Sequence, residues 1–123
     1  MENLMAIIGW NGKNFEAVVH WNDDVIAATG PTLEAIKRET ESALQFHFEE
    51  DPIVYDVAFY LRSSAILKEL DGTLTRSAIA KATGLNEKRL GHYIQGNREG
   101  SEETRSKILE AVEGIKLKLE SIL

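Results

Sequence analysis

Lys88, Arg89 and His92 are the residues of this chain best suited to a specific chemistry. All three fall on the polar side of one short helical pattern. Arginine and lysine donors match the N7 and O6 acceptors that guanine presents in the major groove of DNA, and histidine is a weaker donor for the same task. Arg76, Lys81, Asn86 and Arg98 flank them in sequence. These four suit phosphate oxygens, which supply affinity without sequence information. A plain three-helix cap with solvated basic residues is the competing reading of the same segment. The concentration of positive charge argues against it.

That charge is segregated. The 123-residue chain has a net charge of −6. Residues 1–62 hold four basic residues (Lys13, Lys37, Arg38, Arg62) against eleven acidic ones, a net of −7. Residues 73–98 hold five basic residues against Glu87 alone, a net of +4. An acidic half complements a basic partner, and a basic segment complements nucleic acid.

Other chemistries lack the residues they need. There is no cysteine, which excludes disulfides and thiolate metal sites. His20, His47 and His92 form no paired-ligand spacing, and no serine–base–acid signature is present. Asp23, Asp24, Glu49, Glu50 and Asp51 lie in turns or at a helix end, where acids are ordinary and do not spell a calcium loop. Trp10, Trp21, Tyr55, Phe59 and Tyr60 fall on strand patterns and read as packing rather than as a ligand pocket. The expectation is a protein that is no enzyme and uses no metal or cofactor. No apolar run approaches the ~20 residues needed to span a bilayer, and the N-terminus shows no basic-then-apolar leader. No membrane partner and a cytoplasmic location are therefore expected.

The elements that must position these residues are legible from periodicity. Residues 4–10 are almost wholly apolar and suggest a buried strand. Asn11-Gly12-Lys13-Asn14 is a hairpin signal. Phe15, Ala17, Val19 and Trp21 alternate with more polar positions, a half-buried strand. Asn22-Asp23-Asp24 turns the chain into a third strand over 25–29. Thr32 is placed to cap a helix over 33–48, with Glu34 near its positive end. Tyr55, Val57, Phe59 and Leu61 alternate with Asp56, Ala58, Tyr60 and Arg62 in a fourth strand. The order is βββαβ, with one helix covering one face of a sheet.

Residues 63–70 read as a short helix. Two further helical patterns meet at Gly84-Leu85-Asn86, the form of a helix-turn-helix. Gly84 suits a left-handed corner and Asn86 can cap the second helix. Ile79, Leu85, Leu90 and Ile94 supply apolar contacts, while Ala78, Ala80 and Gly91 are small where helices must approach. Ser101 caps a long last helix whose apolar residues Ile108, Val112, Ile115, Leu119 and Ile122 step by four, three, four and three. That stripe reads as a mutual dimer surface.

This arrangement resembles the HicB family of antitoxins. The resemblance rests on the acidic βββαβ unit, Thr29-Gly30-x-Thr32-x-Glu34-Ala35, and the helix-turn-helix tail. The C-terminal half is similar to members ending in a lambda-repressor-like helix-turn-helix. It shares the Gly-Leu-Asn corner, His92-Tyr93, Gly96 and Ser101-Glu102-Glu103. The resemblance implies an α+β protein with two domains. Residues 1–62 would form a partial ribonuclease-H-like unit lacking catalytic acids, and 63–123 a helix-turn-helix domain for DNA binding and dimerisation. It implies a homodimer or higher oligomer that binds double-stranded operator DNA and silences a small basic RNA-cleaving toxin of the HicA type. One departure is that Asn22-Asp23-Asp24 stands where many members carry a Pro-Gly element. The alternative reading is an orphan protein-interaction module that captures a basic partner and whose helical tail only dimerises.

Overall fold

In the computed structural model, which describes residues 1–123, the chain runs β1 (Glu2–Trp10), β2 (Phe15–Trp21), β3 (Asp24–Gly30), α1 (Leu33–His47), β4 (Tyr55–Leu61), α2 (Ser63–Leu70), α3 (Arg76–Thr83), α4 (Glu87–Ile94) and α5 (Glu102–Ile122). It is an α+β protein with one four-stranded mixed sheet, five helices and a long C-terminal helix.

Local chemistry sets the first turns. The Asn11 side-chain oxygen accepts from the backbone N–H of Lys13 and Asn14, each at 2.8 Å, and closes the first hairpin. Asn22 supports the second hairpin with a left-handed backbone, φ 51°. Asparagine tolerates that conformation better than most residues. Thr32 caps α1 by accepting from Ala35 N–H at 3.0 Å.

The strands lie in the order β3-β2-β1-β4. β1 pairs antiparallel with β2 and parallel with β4. The connection through α1 therefore carries the chain from one sheet edge to the other. Leu4, Ala6, Ile8, Phe15, Ala17, Val19 and Ile26 face α1, which buries Ile36, Thr40 and Leu44 against them. A fully buried aliphatic side chain of this kind contributes roughly 1.5–3 kcal/mol. Thr40 is tolerated there because its hydroxyl donates to the Ile36 carbonyl at 2.7 Å.

Two expectations need correction. Strand β1 is not buried on both faces. Met5 is 53 % exposed on the side away from α1, so the apolar run has one covered and one open face. The 25–29 strand and the 33–48 helix shift by a residue at their ends, with Phe48 as the C-cap of α1.

At 62/63 the chain passes directly from β4 into α2. Arg62 N–H bonds the Ile8 carbonyl at 2.8 Å, continuing the sheet ladder, and its own carbonyl accepts from Ile66 of α2. Helix α2 feeds two cores at once. Ala65 packs with Ile8, Phe15, Ala17 and Ile36. Ile66 and Leu67 pack with Ile79, Leu85, Leu90, Tyr93, Ile94 and Ile108.

Further contacts tie the halves. Glu99 accepts from Ser64 N–H at 2.9 Å and from its hydroxyl at 2.5 Å. The Ser64 hydroxyl in turn accepts from Trp10 N–H at 2.9 Å. The tip of the first hairpin sits against the Gln95–Gly96 loop so closely that a Cβ on Gly96 would stand 2.3 Å from Asn11 and Gly12 backbone atoms.

Candidate nucleic-acid interface

The corner between α3 and α4 is built from short-range bonds. Thr75 caps α3 through Ala78 N–H at 3.0 Å. Gly84 takes a left-handed φ of 76° and its N–H closes on the Ala80 carbonyl. The Thr83 hydroxyl donates to the Ile79 carbonyl at 2.7 Å and accepts from Leu85 N–H at 3.2 Å. Asn86 caps α4 by accepting from Arg89 N–H at 2.7 Å. Below the corner, Ile79, Leu85, Leu90, Tyr93 and Ile94 are buried together. Two short helices are thus held at a fixed angle by one core, with their polar sides outward.

The seven candidate contact residues do not share one environment. Lys81, Lys88 and Arg98 are exposed, and no carboxylate stands within 4.0 Å of them. Lys88 and half-buried His92 lie four residues apart and so share a face of α4. Arg76 is exposed, but its Nε stands 3.9 Å from Asp71. It also lies over Gly91, where a Cβ would meet its guanidinium at 3.2 Å. Of the other small residues, Ala78 is exposed and Ala80 packs against the helical core.

Arg89 differs from expectation. Its Nε donates to the Tyr93 hydroxyl at 2.8 Å and a terminal nitrogen donates to Thr104 Oγ1 at 3.1 Å. Tyr93 and Thr104 are both buried. Arg89 is a strut between α4 and α5, not a free reading head. The cause is position: one step past Lys88 on α4 turns the side chain toward the last helix.

The last helix also divides its apolar stripe. Ile108 is fully buried in the protomer's own core and Val112 packs against that core. Ile108 is not free to form a dimer surface, so that part of the expected interface is corrected, whereas Val112 is only half-buried. Ile115 is half-buried, while Leu119 and Ile122 are 56 % and 71 % exposed. Leu70, Leu74, Val112, Ile115, Leu119 and Leu123 line an apolar groove of about 310 Å³ along this end of α5.

Two features went unread in the sequence. The sheet face opposite α1 carries Met5, Ile7, Val18, Val25, Ala27 and Ala58, and it is open at Met5, Val25, Ala27 and Ala58. Apolar residues at both alternating sets of strand positions were the available signal. Tyr60 lies on that same face. Its hydroxyl bonds Glu102, and the Arg105 guanidinium stacks 3.7 Å from its ring centroid. Glu102, as acceptor of that hydrogen bond, holds the Tyr60 phenol above its ordinary value of 10.0.

No family model, curated protein or solved structure matches this chain. No helix is long and apolar enough to cross a membrane.

Proposed function

We propose that this protein is a DNA-binding transcriptional regulator of HicB antitoxin type. Residues 63–123 carry the operator-binding and dimerising part, and the acidic part, 1–62, captures a small basic RNA-cleaving toxin. The observation that carries the reading is the set of unpaired exposed cations, Lys81, Lys88 and Arg98, on a capped helix-turn-helix of a protein whose net charge is −6. Unpaired cations in an acidic protein are where a polyanion gains most from contact.

Within this reading α4 enters the major groove. Lys88 and His92 address base edges, and Lys81, Arg76, Asn86 and Arg98 address phosphates. Arg89 orients α4 and reads nothing itself. Two copies joined through Ile115, Leu119 and Ile122 present recognition helices to half-sites about one turn, ~34 Å, apart. No catalytic step, metal or cofactor belongs to this activity.

The protein-interaction alternative has its own support. An uncovered apolar sheet face on a half of charge −7 suits a protein partner with a basic rim. The two readings are compatible if the sheet takes the toxin and the helices take the operator.

The deciding experiment is a mobility-shift titration on the DNA upstream of the protein's own reading frame. Lys88→Ala should weaken operator binding by about 1–3 kcal/mol, and random DNA much less. Lys81→Ala should weaken both alike and lower the salt slope by about one. Unchanged binding in both variants would exclude α4 as the recognition helix.

A further inference from the structure

The turn between β1 and β2, Asn11-Gly12-Lys13-Asn14, is seated on the loop that leaves α4. A Cβ on Gly12 would stand 2.6 Å from the Gln95 carbonyl oxygen, and one on Gly96 would stand 2.3 Å from Asn11 and Gly12 backbone atoms. Gly12 and Gly96 both take positive φ, 96° and 76°. Two backbones meet there with no side chain between them. The turn is also internally tied. Asn11 Oδ1 accepts from the N–H groups of Lys13 and Asn14, and the Asn11 amide donates to Glu16 at 2.6 Å.

This contact holds Lys13 at one end of the face assigned to DNA. Lys88, His92 and Gln95 are spaced by four and three residues, so they lie on one side of α4 and its C-cap. Gln95 is exposed, and Gly12, which abuts its carbonyl, is followed directly by Lys13. Lys13 is exposed and has no carboxylate within 4.0 Å. Its surroundings do not cancel its charge. In the recess beside the turn, Arg62 and Arg98 offset Glu16 and Glu99. Lys13 is surplus to that balance, and Lys68, 4.7 Å over the Trp10 ring, adds to it.

The dimensions of the duplex supply the partner. The eight residues of α4 span ~12 Å at ~1.5 Å per residue. The major groove is ~12 Å wide. A helix lying across it brings its ends close to the phosphate strands that wall the groove. A cation fixed at the end of α4 therefore meets sugar-phosphate backbone rather than base edges.

We propose that the β1–β2 turn of the acidic half is part of the DNA-binding surface, with the Lys13 ammonium contacting a backbone phosphate beside the C-terminal end of α4. The assignment rests on the reading of α4 as the recognition helix. It extends the interface into the half otherwise given to a protein partner. The contact adds affinity and no sequence preference.

The test is a set of mobility-shift titrations of the full chain between 50 and 200 mM salt, on the upstream DNA and on a random duplex. Lys13→Ala should weaken both complexes alike and lower the salt slope by about 0.9, the share of one phosphate. Its loss of affinity should be about 3.5-fold larger at 50 mM than at 200 mM, which is that slope over a fourfold change in salt. Lys13→Arg should keep the parental slope. Arg38→Ala makes the same change in net charge at an exposed position of α1, where Arg38 pairs with Glu34 at 3.0 Å, and its slope should also stay parental. Lys13→Ala should melt at the parental temperature, because Asn11 makes the side-chain bonds of the turn.

A parental slope in Lys13→Ala would overturn the proposal. So would an equal loss in Arg38→Ala, which would reduce the effect to net charge. If Lys88→Ala and Lys81→Ala weaken binding while Lys13→Ala does not, the turn lies off the DNA and the reading of α4 stands. A parent chain that binds no duplex at 50 mM salt removes both.

Discussion

Gly84 and Gly96 share a backbone φ of 76° but not their surroundings, and this pair tests whether the two halves are one rigid body. Around Gly84 a new Cβ would meet nothing within 4 Å. Gly84→Ala therefore incurs only the left-handed penalty, about 1–2 kcal/mol. At Gly96 the same Cβ would stand 2.3 Å from the carbonyl carbon of Asn11 and from the nitrogen of Gly12, and 2.8 Å from the Asn11 oxygen. These are backbone atoms of the hairpin tip and cannot rotate away. The hairpin must shift by roughly 1 Å to restore ordinary contact, and forced overpacking of this kind costs about 1–3 kcal/mol. Gly96→Ala should thus lose about 2–5 kcal/mol in total, exceeding Gly84→Ala by about 1–3 kcal/mol. Urea unfolding followed by circular dichroism, with linear extrapolation, measures both. Trp10 fluorescence should change in the folded Gly96 variant only, because Trp10 adjoins the tip. Equal losses within about 0.5 kcal/mol would refute the reasoning, since the hairpin would then not rest on the 95–96 loop.

Three further outcomes follow from the geometry. Arg89→Ala should destabilise the fold by about 1–3 kcal/mol, because it strips the buried Tyr93 hydroxyl of its partner. Tyr93→Phe should recover part of that loss, and strict additivity in the double-mutant cycle would rule the strut out. Leu119→Asp should shift sedimentation toward monomer while changing protomer stability by no more than about 0.5 kcal/mol, as the side chain is exposed. An unchanged oligomer would remove the end of α5 from the interface. Finally, the folded protein holds the Tyr60 proton more tightly than the unfolded chain does. That contribution is present below pH 10 and is lost as pH rises through the raised folded value. The stability gap between the parent and Tyr60→Phe should close in that window, and a gap constant to about pH 11 would contradict the Glu102 bond.

The elements and most of their ends are legible in the amino-acid order, because the bonds that set them are short-range. Asn11-Gly12, Thr32, Thr75, Gly84, Asn86 and Ser101 each act through bonds within a few residues, and each does in the structure what its type suggests. The buried quartet Ile79, Leu85, Leu90 and Ile94 is readable from apolar type at the corner, with helical period placing Leu90 and Ile94 on one side of α4.

What lies across each face depends on how the elements dock. Strand alternation separates two faces but cannot say that one stays open, so the apolar run 4–10 reads as buried although Met5 is exposed. Helical period puts Arg89 beside Lys88 but cannot foresee that α5 crosses there and draws its guanidinium inward. It marks Ile108 and Leu119 alike, although one is sealed by α2 and α3 while the other is exposed. The seam between the halves joins residues 35 to 44 apart in sequence, and no local pattern encodes such a meeting. Backbone chemistry is local and shows in the sequence, whereas the partner of an outward side chain is set by how whole elements dock.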